Sequence, residues 1–166
     1  IDAAATLAAL EDLYRPYKPK RRTRATVAKE KGLEPLAELL FAQSMDCPTP
    51  ETAAVDYVDS EKGVESVEEA LAGASDIIAE IISDAPEGRK VLKDLIAKRG
   101  VIESVAKTEE DSVYSMYYEY SEPVSKIPSH RILAINRGEK EGFLKVSVGI
   151  EEETALMLLD KLFIKD

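Results

Sequence analysis

Ser66 is followed three residues later by Glu69, and behind this pair Val67, Leu71, Ala74, Ile78, Ile81 and Ile82 recur at three- and four-residue steps. A serine hydroxyl that accepts from the third helical N–H, with an acid reaching back, satisfies donors otherwise left orphaned at a helix start. The steps that follow are the period of an amphipathic helix. The pattern predicts a helix over 67–83 with an apolar stripe that other elements must cover.

Most of the remaining chain reads in the same way. Leu7, Leu10, Leu13 and Tyr14 place a helix over 3–14 that Pro16 ends, and Pro16 with Pro19 holds 17–20 extended. Helices are expected over 24–31 with Gly32 as a left-handed cap, over 35–43 from Pro35, and from Thr49-Pro50-Glu51 to about Val58. Val91, Leu92, Leu95 and Ile96 stripe a further helix that ends at Gly100. Residues 101–105 fit either a helix or a short strand. A helix over 109–118 is expected to break at Tyr120-Ser-Glu-Pro123, and Ser129 to cap another over 130–139. Residues 143–148 alternate as a half-exposed strand does, with Phe143 out of phase, and 151–163 closes as an amphipathic helix. The expected class is mainly α, a multi-helix bundle of eight or nine helices with room for one short β pair near the C-terminus.

A chain of 166 residues with 45% apolar content can bury one sizeable core, or form two helical lobes, divided here as 1–100 and 101–166. It opens Ile-Asp-Ala without an initiator Met, so a segment of a longer protein is expected. Cys47 is the single cysteine and His130 the single histidine, too few for an internal disulfide or the usual zinc ligand set. No metal or other cofactor is expected, and a reducing, cytoplasmic setting fits. Apolar runs such as 39–42 and 77–79 fall far short of the roughly 20 residues a membrane-spanning helix needs, so no membrane association is expected.

Charge is unevenly placed. Between Arg15 and Lys31 eight basic residues stand against one acid, Glu30, while the chain as a whole carries −10, which leaves −17 on the remainder. Lys18, Lys20, Arg21, Arg22 and Arg24 place five cations within seven residues, enough to displace several counterions from a nucleic acid. The alternative is that these cations pair with acids of the body, at about 0–1 kcal/mol for each exposed pair. Tyr14 and Tyr17 can likewise stack on bases or pack against the helix junction.

Three stretches carry a family resemblance. They are Leu10-Glu-Asp-Leu-Tyr-Arg-Pro-Tyr-Lys-Pro-Lys-Arg-Arg-Thr-Arg-Ala25 running on to Lys31-Gly-Leu-Glu-Pro-Leu-Ala37, then Tyr118-Glu-Tyr-Ser-Glu-Pro123, then Ile127-Pro-Ser-His-Arg-Ile-Leu-Ala-Ile-Asn-Arg-Gly-Glu139. In content and order they resemble the N-terminal half of the Tex family of bacterial transcription accessory proteins, ahead of its YqgF/RuvC-like domain. The resemblance implies a helical region with helix-turn-helix-like elements. It also implies a role in transcription, in a protein that binds nucleic acid, RNA included, mainly through family domains absent from this chain.

No catalytic residue is expected. Ser129 and His130 are neighbours in sequence, which points their side chains apart on a helix, and a triad needs a base within hydrogen-bond reach and an orienting acid. His130, Arg131, Arg137 and Glu139, with Tyr14 and Tyr17, are assigned structural or interdomain roles. The clusters Glu109-Glu110-Asp111 and Glu151-Glu152-Glu153 are expected at helix starts, where the dipole favours acids. Tyr114, Tyr117, Tyr118 and Tyr120 are expected in a core or a buried seam. The reading is a non-catalytic scaffold segment with a basic contact loop and no small-molecule substrate. The alternative is a protein-interaction module whose acidic surface docks on RNA polymerase or the ribosome.

Overall fold

The computed structural model describes residues 6–18 and 21–165. These form eight α-helices, several single 3-10 turns and one three-stranded sheet, so the class is mainly α as expected. They fall into two compact units, residues 6–89 with 161–165 in one and 90–160 in the other. None of the described helices is long and apolar enough to cross a membrane.

The first unit opens with α1 (Leu7–Tyr14); the expected start at 3–5 lies outside the described residues. Pro16 does not simply stop this helix. It sits in the first turn of a 3-10 helix (Arg15–Tyr17), where its missing N–H leaves no bond unmade, and extended backbone begins only at Lys18. Thr23 caps α2 (Arg24–Glu30): its hydroxyl accepts from the Thr26 N–H while the Thr26 hydroxyl accepts from the Thr23 N–H. Gly32 turns the chain at φ +80°. Then come α3 (Glu34–Ala42) and α4 (Pro50–Ala54), the latter capped by Thr49 and relaxing into a 3-10 turn over Val55–Tyr57 rather than running to Val58 as helix.

The centre of this unit is α5 (Val67–Asp84), capped by Ser66 as the sequence predicts. Glu69 reaches one residue further back than a capping box requires, to the Glu65 N–H. Of the expected stripe, Ala74 is fully buried and Val67, Leu71 and Ile78 are half-buried, but Ile81 is exposed. The fully buried line is Ala70, Ala74 and Ile77, because α2 lies against α5 and brings Ala25 and Ala28 into the same core. Short side chains at such a contact let two helix backbones approach closely. Leu33, Leu36, Ala37, Ala53, Ala54 and Val64 complete the core.

The second unit carries the sheet. Residues 101–106 resolve as a strand, β1 (Val101–Ala106), flanked by β2 (Glu119–Pro123) and β3 (Leu144–Gly149) in the order β2-β1-β3, both pairs antiparallel. Ser104 stands opposite Tyr120 on one side and Val146 on the other. Helix α7 (Ser129–Lys140) packs against β3, and the core between them gathers Tyr114, Tyr117, Ile127, Ile135 and Leu144.

Four expectations fail in this unit. Residues 109–118 hold no α-helix, only a 3-10 turn at Ser115–Tyr117, because Ser112 and Ser115 bond local backbone groups that a helix would need. Glu109, Glu110 and Asp111 therefore lie in a loop, and no helix dipole accounts for them. Residues 119–123 form an edge strand instead of a break; Pro123 is tolerated at its end. Ser129 is the first residue of α7 and not its cap, since Pro128 holds that place and no side chain bonds the helix start. Helices α6 (Pro86–Arg99) and α8 (Glu152–Phe163) each contribute residues to both units.

Candidate nucleic-acid interface

The basic segment is displayed by the join between α1 and α2. The 3-10 turn at Arg15–Tyr17 swings the chain out of α1, and the Thr23 cap fixes where it re-enters a helix. Between them the expected contact residues divide into two groups.

The first group is paired. Arg22 Nη2 donates to Glu30 Oε2 at 2.7 Å, with both side chains exposed. Arg24 Nε lies 3.5 Å from Asp76 Oδ1, the Thr23 hydroxyl donates to Glu80 Oε1 at 3.0 Å, and Arg15 Nε donates to Asp84 Oδ1 at 3.1 Å. Asp76, Glu80 and Asp84 stand four residues apart on α5, so they fall on one face of it. Asp84 is 7% exposed, and an ionised carboxylate at that depth needs partners of this kind. No expected site residue lies among these three acids, although their i, i+4, i+8 spacing marks the shared face in the sequence. The groove between the segment and α5 has a volume of about 320 Å³.

The second group is open. Lys18 and Arg21 are exposed and have no ion-pair partner among the described residues; Lys20 lies outside the described residues. Tyr14 is 51% exposed and Tyr17 80% exposed, which differs from packing against the helix junction. At the end of α2, Lys29 pairs with Glu34 at 3.0 Å, and just beyond it the Lys31 ammonium donates to the Gly63 carbonyl at 2.6 Å, so neither adds free charge.

The residues singled out on the second unit lie along α7. His130, Arg137 and Glu139 are exposed. Arg131 is half-buried and donates to Glu122 Oε2 at 2.9 Å and to the Tyr120 hydroxyl at 3.2 Å, while Tyr120 also bonds Glu122. Those bonds, from Tyr120 first and Arg131 second, hold the Glu122 carboxyl below the usual glutamate range. Burial, with Glu122 beside it, pushes the Tyr120 hydroxyl up. Burial followed by the bond to Glu141, 2.9 Å away, does the same to Tyr114. Tyr117 meets Tyr120 edge-on at 5.2 Å, and Ser104 donates to the Tyr117 carbonyl at 2.6 Å in the buried centre of the sheet. Arg131 thus ties α7 to β2.

Comparison with known proteins adds the context of the chain. The family model described as Tex central region-like matches residues 46–161. Protein YdcI of Bacillus subtilis is 48% identical over the whole chain, which covers 24% of that protein. Protein YhgF of Escherichia coli is 41% identical over 92% of the chain, covering 20% of its own length. The transcriptional accessory protein Tex of Neisseria gonorrhoeae is 39% identical over 89% of the chain, covering 19% of its length. The chain therefore spans a quarter or less of the relatives it matches.

Proposed function

The chain belongs to the Tex family, and on that premise we propose that it is a non-catalytic helical scaffold segment of a nucleic-acid-binding transcription accessory protein. It lends that protein a contact corner made by Tyr14, Tyr17, Lys18 and Arg21, with Lys20 between them in sequence. The observation that carries this reading is the 80% exposure of Tyr17 directly beside Lys18. An aromatic ring left in water beside cations that, among the described residues, have no acidic partner is the combination used on single strands, where bases stack on rings and phosphates meet cations.

The test is a salt titration of fluorescent single-stranded RNA and of duplex DNA against the 166-residue chain. It is run beside a variant with Lys18, Lys20 and Arg21 changed to Ala and a second with Tyr17→Ala. Binding is expected to weaken linearly in log–log form with salt, by about 0.7 per phosphate met on a single strand, and to be lost in the triple variant. Tyr17→Ala is expected to cost about 1–3 kcal/mol on RNA with the salt slope unchanged. Absence of binding at low salt would sink the contact corner and leave the scaffold role.

A second reading is docking on a basic protein partner such as RNA polymerase or the ribosome. It is favoured by the loop that follows β1, where Glu109, Glu110 and Asp111 precede Val113 and Met116, two apolar side chains left exposed. Docking there survives removal of the basic cluster, which separates the two readings.

A further inference from the structure

We infer that α5 holds the basic segment in a closed state, its carboxylates occupying the cations that a phosphodiester backbone engages once it displaces them. The inference rests on the contact corner proposed above and assigns it a regulation.

Asp76, Glu80 and Asp84 rise along α5 by about 6 Å from one to the next, the repeat of four residues in an α-helix. Among the described residues, Asp76 meets Arg24, Glu80 accepts from the Thr23 hydroxyl and Asp84 accepts from Arg15. A row of regularly spaced anionic oxygens facing a short cationic segment is the arrangement a single nucleic-acid strand offers through its phosphates. The row is graded. At its outer end the Arg24 side chain is 88% exposed and 3.5 Å from its acid, a contact that water and salt weaken. At its inner end Asp84 is buried and Arg15 meets it at 3.1 Å. Arg24 therefore exchanges first, while Arg15 keeps the segment anchored. Lys18 and Arg21, already open, make the first encounter with the strand.

The distinguishing measurement is binding of a fluorescein-labelled single-stranded RNA to the full 166-residue chain and to Asp76→Asn/Glu80→Gln, which leaves buried Asp84 in place. A charge-matched control carries Glu38→Gln and Asp46→Asn, both exposed positions outside the segment and α5. Asp76→Asn alone serves as the milder variant, with circular dichroism melts confirming the fold. The α5 variant is expected to bind roughly tenfold tighter than the parent, about 1.4 kcal/mol. Its salt dependence should steepen by about 0.7 for the arginine freed, Arg24. The control is expected to stay within about twofold of the parent, since screening limits what distant charges contribute. Parent and α5 variant binding alike, or the control gaining as much, overturns the closed state and leaves the contact corner standing. No binding by any of the proteins overturns both.

Discussion

The side-chain amide of Gln43 grips the backbone around Phe163: Nε2 donates to the Phe163 carbonyl at 2.6 Å, and Oε1 accepts from the Lys165 N–H at 2.9 Å. The Phe41 and Phe163 rings meet beside it at 6.5 Å, and the Lys165 ammonium donates to the Ala42 carbonyl. One residue thus closes α3 and fastens the stretch following α8. Gln43 does so from a left-handed backbone, φ 49°.

Two substitutions separate these contributions. Gln43→Ala loses both bonds and keeps the unfavourable φ, so it is expected to destabilise by about 1–3 kcal/mol. Gln43→Gly loses the same bonds but relieves the backbone, and should recover about 1 kcal/mol of that loss. Denaturant melts give the difference, and amide exchange at Lys165 should speed up in both. Equal melts for Ala and Gly would show that the backbone conformation costs nothing here.

Gly138 faces the core of the second unit. A Cβ there would lie 2.7 Å from Leu144 Cδ1 and 3.0 Å from the Tyr114 ring, both buried. Gly138→Ala is therefore expected to cost about 1–3 kcal/mol by overpacking, despite the better helix propensity of alanine. Gly142, at φ +88° with open space around it, provides the contrast: its alanine variant pays only backbone strain, about 1–2 kcal/mol. Near-ultraviolet dichroism of the tyrosines should change for Gly138→Ala and stay the same for Gly142→Ala.

The Tyr120, Glu122 and Arg131 set makes a two-sided pH prediction. The folded Glu122 carboxyl sits below its ordinary 4.5, so the stability it adds is present above that value and fades as pH falls through the lower folded value. Folded Tyr120 sits above its ordinary 10.0, so its contribution is complete below 10.0 and is lost as pH rises through the raised value. Glu122→Gln should flatten the acid limb of a stability–pH curve, and Tyr120→Phe the alkaline limb. Unchanged limbs in both variants would mean that these bonds carry no net stability.

The helices whose ends are fixed by their own neighbours were legible from sequence. Ser66 announces α5, and Thr49 with Pro50 starts α4, because the capping oxygen and the N–H it serves lie three residues apart. Residues 109–123 were not legible. Their tyrosines recur at near-helical steps, yet Tyr114 and Tyr117 turn into a core completed by Ile135 and Leu144 from further along the chain, and 119–123 pairs with β1. The basic segment was legible as charge, with pairing to acids of the body as one of its two readings, but which acids take part was not. The Arg24–Asp76 and Arg15–Asp84 pairs join residues many turns apart, and no local pattern in the segment itself names its partners.

The Gln43 to Phe163 bond spans 120 positions, and all of residues 90–160 lie inside that span. During synthesis, the second unit therefore leaves the ribosome before the first receives the stretch that seals it. Closing so long a loop costs only modestly more than closing a short one, because the entropy grows with the logarithm of length. The seal is thus cheap in equilibrium terms yet late in time. A nascent chain halted near residue 160 presents α3 with its final carbonyls unsealed.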